Sequence, residues 1–128
     1  MPRTKASTKS PSKSESEFLA LIIDSITDIK GKNIVQLDMR HLADAPASFF
    51  IICEGESSTQ IKAIAGNVQR RAKDEAGQKA HSEGQIGARW VLVDFFDVIV
   101  HVFDRDTRRY YELEDLWSDA KSTEYKNI

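Results

Sequence analysis

The sequence predicts an α/β (α+β) domain: a mixed sheet of four to five strands with helices packed mainly on one face. Three observations lead there. Hydrophobic periodicity runs in the order helix, two strands, helix, two strands, helix, with no internal repeat. The run "FFIIC" at 49–53 is apolar on both faces, which places it centrally in a sheet. The stretch "RWVLVDFFDVIVHVF" at 89–103 leaves room only for a tight turn between its apolar runs, so its two strands pair as a hairpin.

Residues 1–15 are mostly Ser, Thr, Lys and Pro and cannot offset the entropy of ordering, so a disordered tail is expected there. Ser14 and Glu17 have capping-box spacing, and Phe18, Leu19, Ile22, Ile23, Ile26 and Ile29 follow at helical spacing until Lys30-Gly31. "NIVQLDM" at 33–39 alternates as a half-buried strand, with Val35, Leu37 and Met39 on one side. A loop with Pro46 leads to "FFIIC". Ser57 or Ser58 then caps a second helix, which buries Ile61, Ile64, Ala65, Val68 and Ala72 and ends at Gly77. Residues 78–88 are expected to be loop. Residues 106–117 return to helical spacing through Tyr110, Leu113, Leu116 and Trp117. The expected organisation is one domain over 16–120 with a C-terminal tail at 121–128.

Charge narrows the choice of partner. The chain has 18 basic and 20 acidic residues; the first 17 residues take four and two of them, which leaves 14 against 18. A domain of net negative charge is poorly suited to neutralising phosphates and better suited to a basic protein. Cys53 is the sole cysteine, so no intramolecular disulfide forms. No apolar run approaches the roughly 18 residues of a membrane span. A cytoplasmic protein is expected, although "MPRTKASTKSPSKS" has the Ser/Lys-rich look of some transit peptides.

The hairpin carries the candidate site. With Phe95 and Phe96 as the turn, Trp90 opposes His101, Leu92 opposes Ile99 and Asp94 opposes Asp97, all on one side. Val91, Val93, Val98 and Val100 then face the helices. Singly, these residues read as a packed cross-strand pair and turn carboxylates. Together they resemble an interface core, with two like charges waiting for an Arg or Lys. A bare patch of Trp90, Leu92 and Ile99 also implies a homodimer in the free protein.

Catalysis finds little support. "CEGESS" resembles the Gly-Ser entry of nucleotidyltransferases, but the paired metal-binding carboxylates along a strand are missing. His41, His81 and His101 lack ligand spacing, and Cys53 reads as an inert core thiol with Cys/His chemistry left open. No metal and no cofactor is expected. Arg105, Arg108 and Arg109 form a secondary patch for RNA or an acidic protein, while Arg108 and Glu112 also fit an ordinary surface pair.

In order and spacing, "DSITDIKGKNIVQLDMR", "FFIICEGESSTQIKAIAGNV", Glu83-Gly84, "WVLVDFFDVIVHVF" and "RRYYELEDLW" resemble the ribosomal silencing factor family, also called Iojap-like, over about residues 18–120. The resemblance implies a non-enzymatic factor. It would bind ribosomal protein fourteen of the large subunit and hold down translation by blocking subunit joining. It also implies a fold similar to nucleotidyltransferases without their catalytic carboxylates. The family's characteristic positions fall on Trp90, Asp94, Asp97, His101, Arg109, Tyr111, Leu113, Glu114, Leu116 and Trp117. Two departures stand out: the family usually has Gly where this chain has Phe96, and Asp where it has Ser48. A nucleotidyltransferase and a single-strand RNA binder using sheet aromatics are the competing functions.

Overall fold

The computed structural model describes residues 11–125. Helix α1 (Lys13–Asp28) starts earlier than the spacing of Ser14 and Glu17 predicts. "SKSESE" contains two overlapping capping boxes, and the structure uses the first. Ser12 takes the extended backbone of a cap; its hydroxyl accepts from the Glu15 amide at 3.2 Å and its amide donates to the Glu15 carboxylate at 2.9 Å. The first ten residues of the expected tail lie outside the described residues. The helix stops before Gly31, where a Cβ would sit 2.3 Å from the side chain of Ile26. Only glycine lets the chain turn that tightly against the helix.

Strands β1 (Lys32–Asp38) and β2 (Phe49–Glu54) pair antiparallel, and helix α2 (Ser58–Ala76) follows. Ser57 caps α2 by accepting from the Gln60 amide at 3.1 Å, and Gly77 closes it at φ 65°, both as expected. Strand β4 (Trp90–Asp94) and strand β5 (Val98–Phe103) form the hairpin, and β5 runs parallel to β2.

Two further strands complete the sheet. Strand β3 (His81–Glu83) pairs with β4 inside the segment expected to be loop, and β6 (Lys121–Tyr125) pairs with β1 inside the expected C-terminal tail. Both are edge strands of mainly polar residues, so neither shows the apolar alternation that marks a strand in sequence. The sheet therefore has six strands, in the order β3-β4-β5-β2-β1-β6, rather than four to five.

Two apolar layers hold the sheet. On one face α1 and α2 cover Ile34, Ile51, Cys53, Val91, Val93, Val100 and Val102. On the other, Val35, Leu37, Phe50, Ile52, Ile99 and Phe103 are covered in part by Leu113 and by Leu42, Ala45 and Trp117. The single helix expected over 106–117 is instead two, α3 (Arg105–Tyr111) and α4 (Leu113–Leu116). Glu112 breaks it at φ 48°, which turns Leu113 down into the second layer.

The aromatic face and its buried histidine

The hairpin register differs by two residues from the expected one: Trp90 opposes Phe103, Leu92 opposes His101 and Asp94 opposes Ile99. Because side chains alternate with a period of two, this shift leaves every strand residue on its expected face; Asp97, expected on the Trp90 side, instead lies in the turn and lines a cavity with Glu15 and Phe18 of α1. The expected repulsion between Asp94 and Asp97 is absent, because the two are not opposed. Phe95 donates its amide to the Val98 carbonyl at 2.8 Å, which makes Phe96 and Asp97 the turn. Phe96 sits at φ 77° with its ring 83 % exposed, and the Asp94 carboxylate accepts from its amide at 2.7 Å. Asp94 is thus a turn cap. Asp97 is exposed beyond the strands, and its carbonyl accepts from the amides of Ser48 and Phe49 at 2.9 and 3.0 Å.

The aromatic residues on this face stack in a layer. Trp90 lies 4.8 Å from the ring of Phe103 and 4.7 Å from that of Tyr111. Its indole Nε1 donates to His101 Nδ1 at 3.0 Å. Nδ1 therefore accepts, the imidazole proton sits on Nε2, and Nε2 is buried with no partner among the described residues. Phe50 packs against the same ring at 4.4 Å. Burial pushes the His101 pKa down to about 4, and protonating Nδ1 would also break the Trp90 bond. At neutral pH His101 is uncharged and fixes the Trp90 indole.

The structure sorts the candidate residues accordingly. Trp90, Leu92 and Asp94 are half-buried and Tyr111 is 49 % exposed, so these four share a reachable surface. Ile99 and His101 lie beneath it. Arg109 is exposed on the far side of α3, lining a groove of about 780 Å³ with Glu112, Glu114, Asp115 and Glu124.

Phe103 was missed although alternation continues to it from His101. Arg108 was misread: it does not pair with Glu112 on the surface. It is buried, and its guanidinium donates to Glu54 at 3.0 Å, to Glu114 at 2.6 Å and to the Asn33 carbonyl at 2.7 Å. That set of bonds ties α3 and α4 to β1 and β2, and no local spacing in the sequence announces it.

Cys53 and His101 lie on opposite faces of the sheet, since Cys53 pairs with Val102 and Ile52 with His101. Burial also pushes the Cys53 thiol up to about 12. Cys/His chemistry is therefore not assembled. Among the described residues no group of three or more His, Cys, Asp or Glu is placed to hold a metal ion, and no helix is long and apolar enough to cross a membrane.

Residues 11–128 match the family model described as ribosomal silencing factor during starvation, RsfS. The chain is similar to the ribosomal silencing factor RsfS of Halalkalibacterium halodurans, with 40 % identity over 90 % of this chain and 97 % of that protein. It is similar to the RsfS of Bacillus subtilis, with 41 % identity over 83 % and 89 % of the two chains. The fold resembles a crystal structure of a protein from Chromobacterium violaceum, with TM-score 0.76 and 41 % identity over 80 % of this chain and 85 % of that one.

Proposed function

We propose, on the premise that this chain belongs to the ribosomal silencing factor (RsfS) family, that it represses translation by docking on the large ribosomal subunit and blocking its joining to the small one. The contact is with the basic ribosomal protein fourteen, made by Trp90, Leu92, Asp94 and Tyr111. Arg109 lines the neighbouring groove with Glu112, Glu114 and Asp115 and stands outside that patch. Ile99 and His101 support that surface from beneath, and Asp97, which lines the cavity beside α1, stands outside it.

The observation that carries this reading is the Trp90 indole, held by ring contacts with Phe103 and Tyr111 and by its bond to His101. A large aromatic fixed on two rigid strands loses little entropy on binding, and it is the usual anchor of an interface. The function needs no catalytic group, no cofactor and no metal, and it is carried out in the cytoplasm. In the free protein the same half-apolar patch pairs two copies, so partner and self-association compete.

The test is sedimentation with isolated large subunits. The protein should travel with them and lower the joined fraction when small subunits are added. Trp90→Ala, shown by circular dichroism to be folded, should bind at least about thirtyfold more weakly, as expected for a hot spot. A folded Trp90→Ala variant that co-sediments normally removes this face from the reading.

A further inference from the structure

Between α3 and the start of β4 lies a second cleft, of about 430 Å³, lined by Arg89, Trp90, Asp106, Thr107, Tyr110 and Tyr111. It shares Trp90 and Tyr111 with the docking face and adds Arg89, Asp106, Thr107 and Tyr110 to them. Tyr110 is 79 % exposed and meets Tyr111 with the two rings perpendicular, at 5.0 Å, so at least one face of its ring stays open. Arg89 is exposed and has no ion-pair partner among the described residues. Its backbone is tied to the start of α3, because the Arg89 carbonyl accepts from the Asp104 amide at 2.9 Å. Asp106 and Thr107 add acceptors at the rim.

The other arginines of α3 do not contribute: Arg108 is buried, and Arg105 and Arg109 line different grooves. The RNA contact expected of Arg105, Arg108 and Arg109 as a patch therefore has no basis, and the cleft stands on Arg89 alone for its cation.

We propose that this cleft takes one unstacked nucleotide. The base lies on the open face of Tyr110 and the exposed edge of Trp90, the phosphate meets Arg89, and the amino or imino hydrogens of the base edge reach Asp106 or Thr107. Every base has a π-face, so an aromatic platform beside one guanidinium accepts single-stranded nucleic acid with little sequence preference. The cleft holds one cation, Arg89, and one carboxylate, Asp106, which matches a nucleotide's phosphate at one end and its base-edge N–H groups at the other; a basic protein segment would use Asp106 alone and be repelled by Arg89. The source favoured is ribosomal RNA, and this part rests on the proposed docking to the large subunit, where the bound protein has RNA beside it.

The experiment uses the full chain without ribosomes. Tryptophan fluorescence is followed while a short single-stranded oligoadenylate, the matching duplex or adenosine monophosphate is added. The single strand should quench, the mononucleotide should do so only at much higher concentration, and the duplex should not. Tyr110→Ala should weaken oligonucleotide binding about tenfold, while Tyr110→Phe keeps it. Arg89→Gln should lower the salt dependence by about one ion. Stronger quenching by the free mononucleotide than by the oligonucleotide would overturn ribosomal RNA as the source.

The absence of any quenching that Tyr110→Ala removes would overturn the site. If Tyr110→Ala instead weakens co-sedimentation with large subunits and oligonucleotides have no effect, the cleft is a protein contact and the nucleotide is wrong. If oligonucleotides bind while the chain fails to travel with large subunits, the docking reading fails and the cleft stands.

Discussion

Replacing His101 with Asn isolates the cost of keeping an imidazole neutral inside the sheet. The Asn amide oxygen falls where Nδ1 stands and can still accept from Trp90, while the titrating group is gone. In the unfolded chain a histidine ionises near 6.5; in the fold His101 is pushed down to about 4 by burial. Below 6.5 the unfolded chain therefore takes up a proton that the folded one refuses. Stability is complete above that pH and falls as pH drops toward 4. At about 1.4 kcal/mol per pH unit, the whole interval is worth about 3 kcal/mol. Urea unfolding followed by circular dichroism at several pH values between 7 and 4 should show the parent losing about 3 kcal/mol more than His101→Asn. The variant starts lower at pH 7 because of the space left by the smaller side chain. Parallel losses in the two proteins would mean that His101 is not held neutral, and the support given to Trp90 would need another explanation.

Phe96→Gly should raise stability by up to about 1 kcal/mol, since the ring is exposed and the backbone at φ 77° suits glycine; a fall in melting temperature would contradict this. Arg108→Ala should cost about 3 kcal/mol or more in denaturant unfolding, because it strands the Glu54 and Glu114 carboxylates at a buried junction, and a cost near zero would show that α3 and α4 are held by packing alone. Asp97→Asn should change stability by less than about 0.5 kcal/mol; a clear gain would restore the opposed pair that the register excludes. Asp94→Ala should cost about 1 kcal/mol through loss of the bond to the Phe96 amide, read as a lower denaturant midpoint.

Residues whose environment is set by near neighbours were legible in the sequence. The central place of Phe49–Glu54, the Ser57 and Gly77 ends of α2, and the faces of Trp90 and Val91 all follow from periodicity and capping. The register of the hairpin was not, because a slip of two residues leaves each side chain on the same face, so alternation cannot detect it. Strands β3 and β6 were hidden because a polar edge strand owes its existence to a partner far away in the chain. Arg108 was hidden for the same reason: its partners Asn33 and Glu54 are distant in sequence, whereas the misleading Glu112 is near. The burial of His101 depends on Phe50 and on α4 folding over the sheet, neither of which the hairpin sequence contains.

The strand order has a consequence for biosynthesis. Strand β1 is made more than eighty residues before its outer neighbour β6, because Lys121 follows Asp38 by 83 positions. A chain emerging N-terminus first keeps one edge of β1 open until residues 121–125 have followed, and open edges recruit other chains. Lys32, Asn33, Gln36 and Asp38 punctuate that edge with polar groups, but Ile34 and Leu37 lie between them. A chain cut before Lys121 therefore keeps its aromatic face but leaves β1 unguarded and prone to pair with other chains.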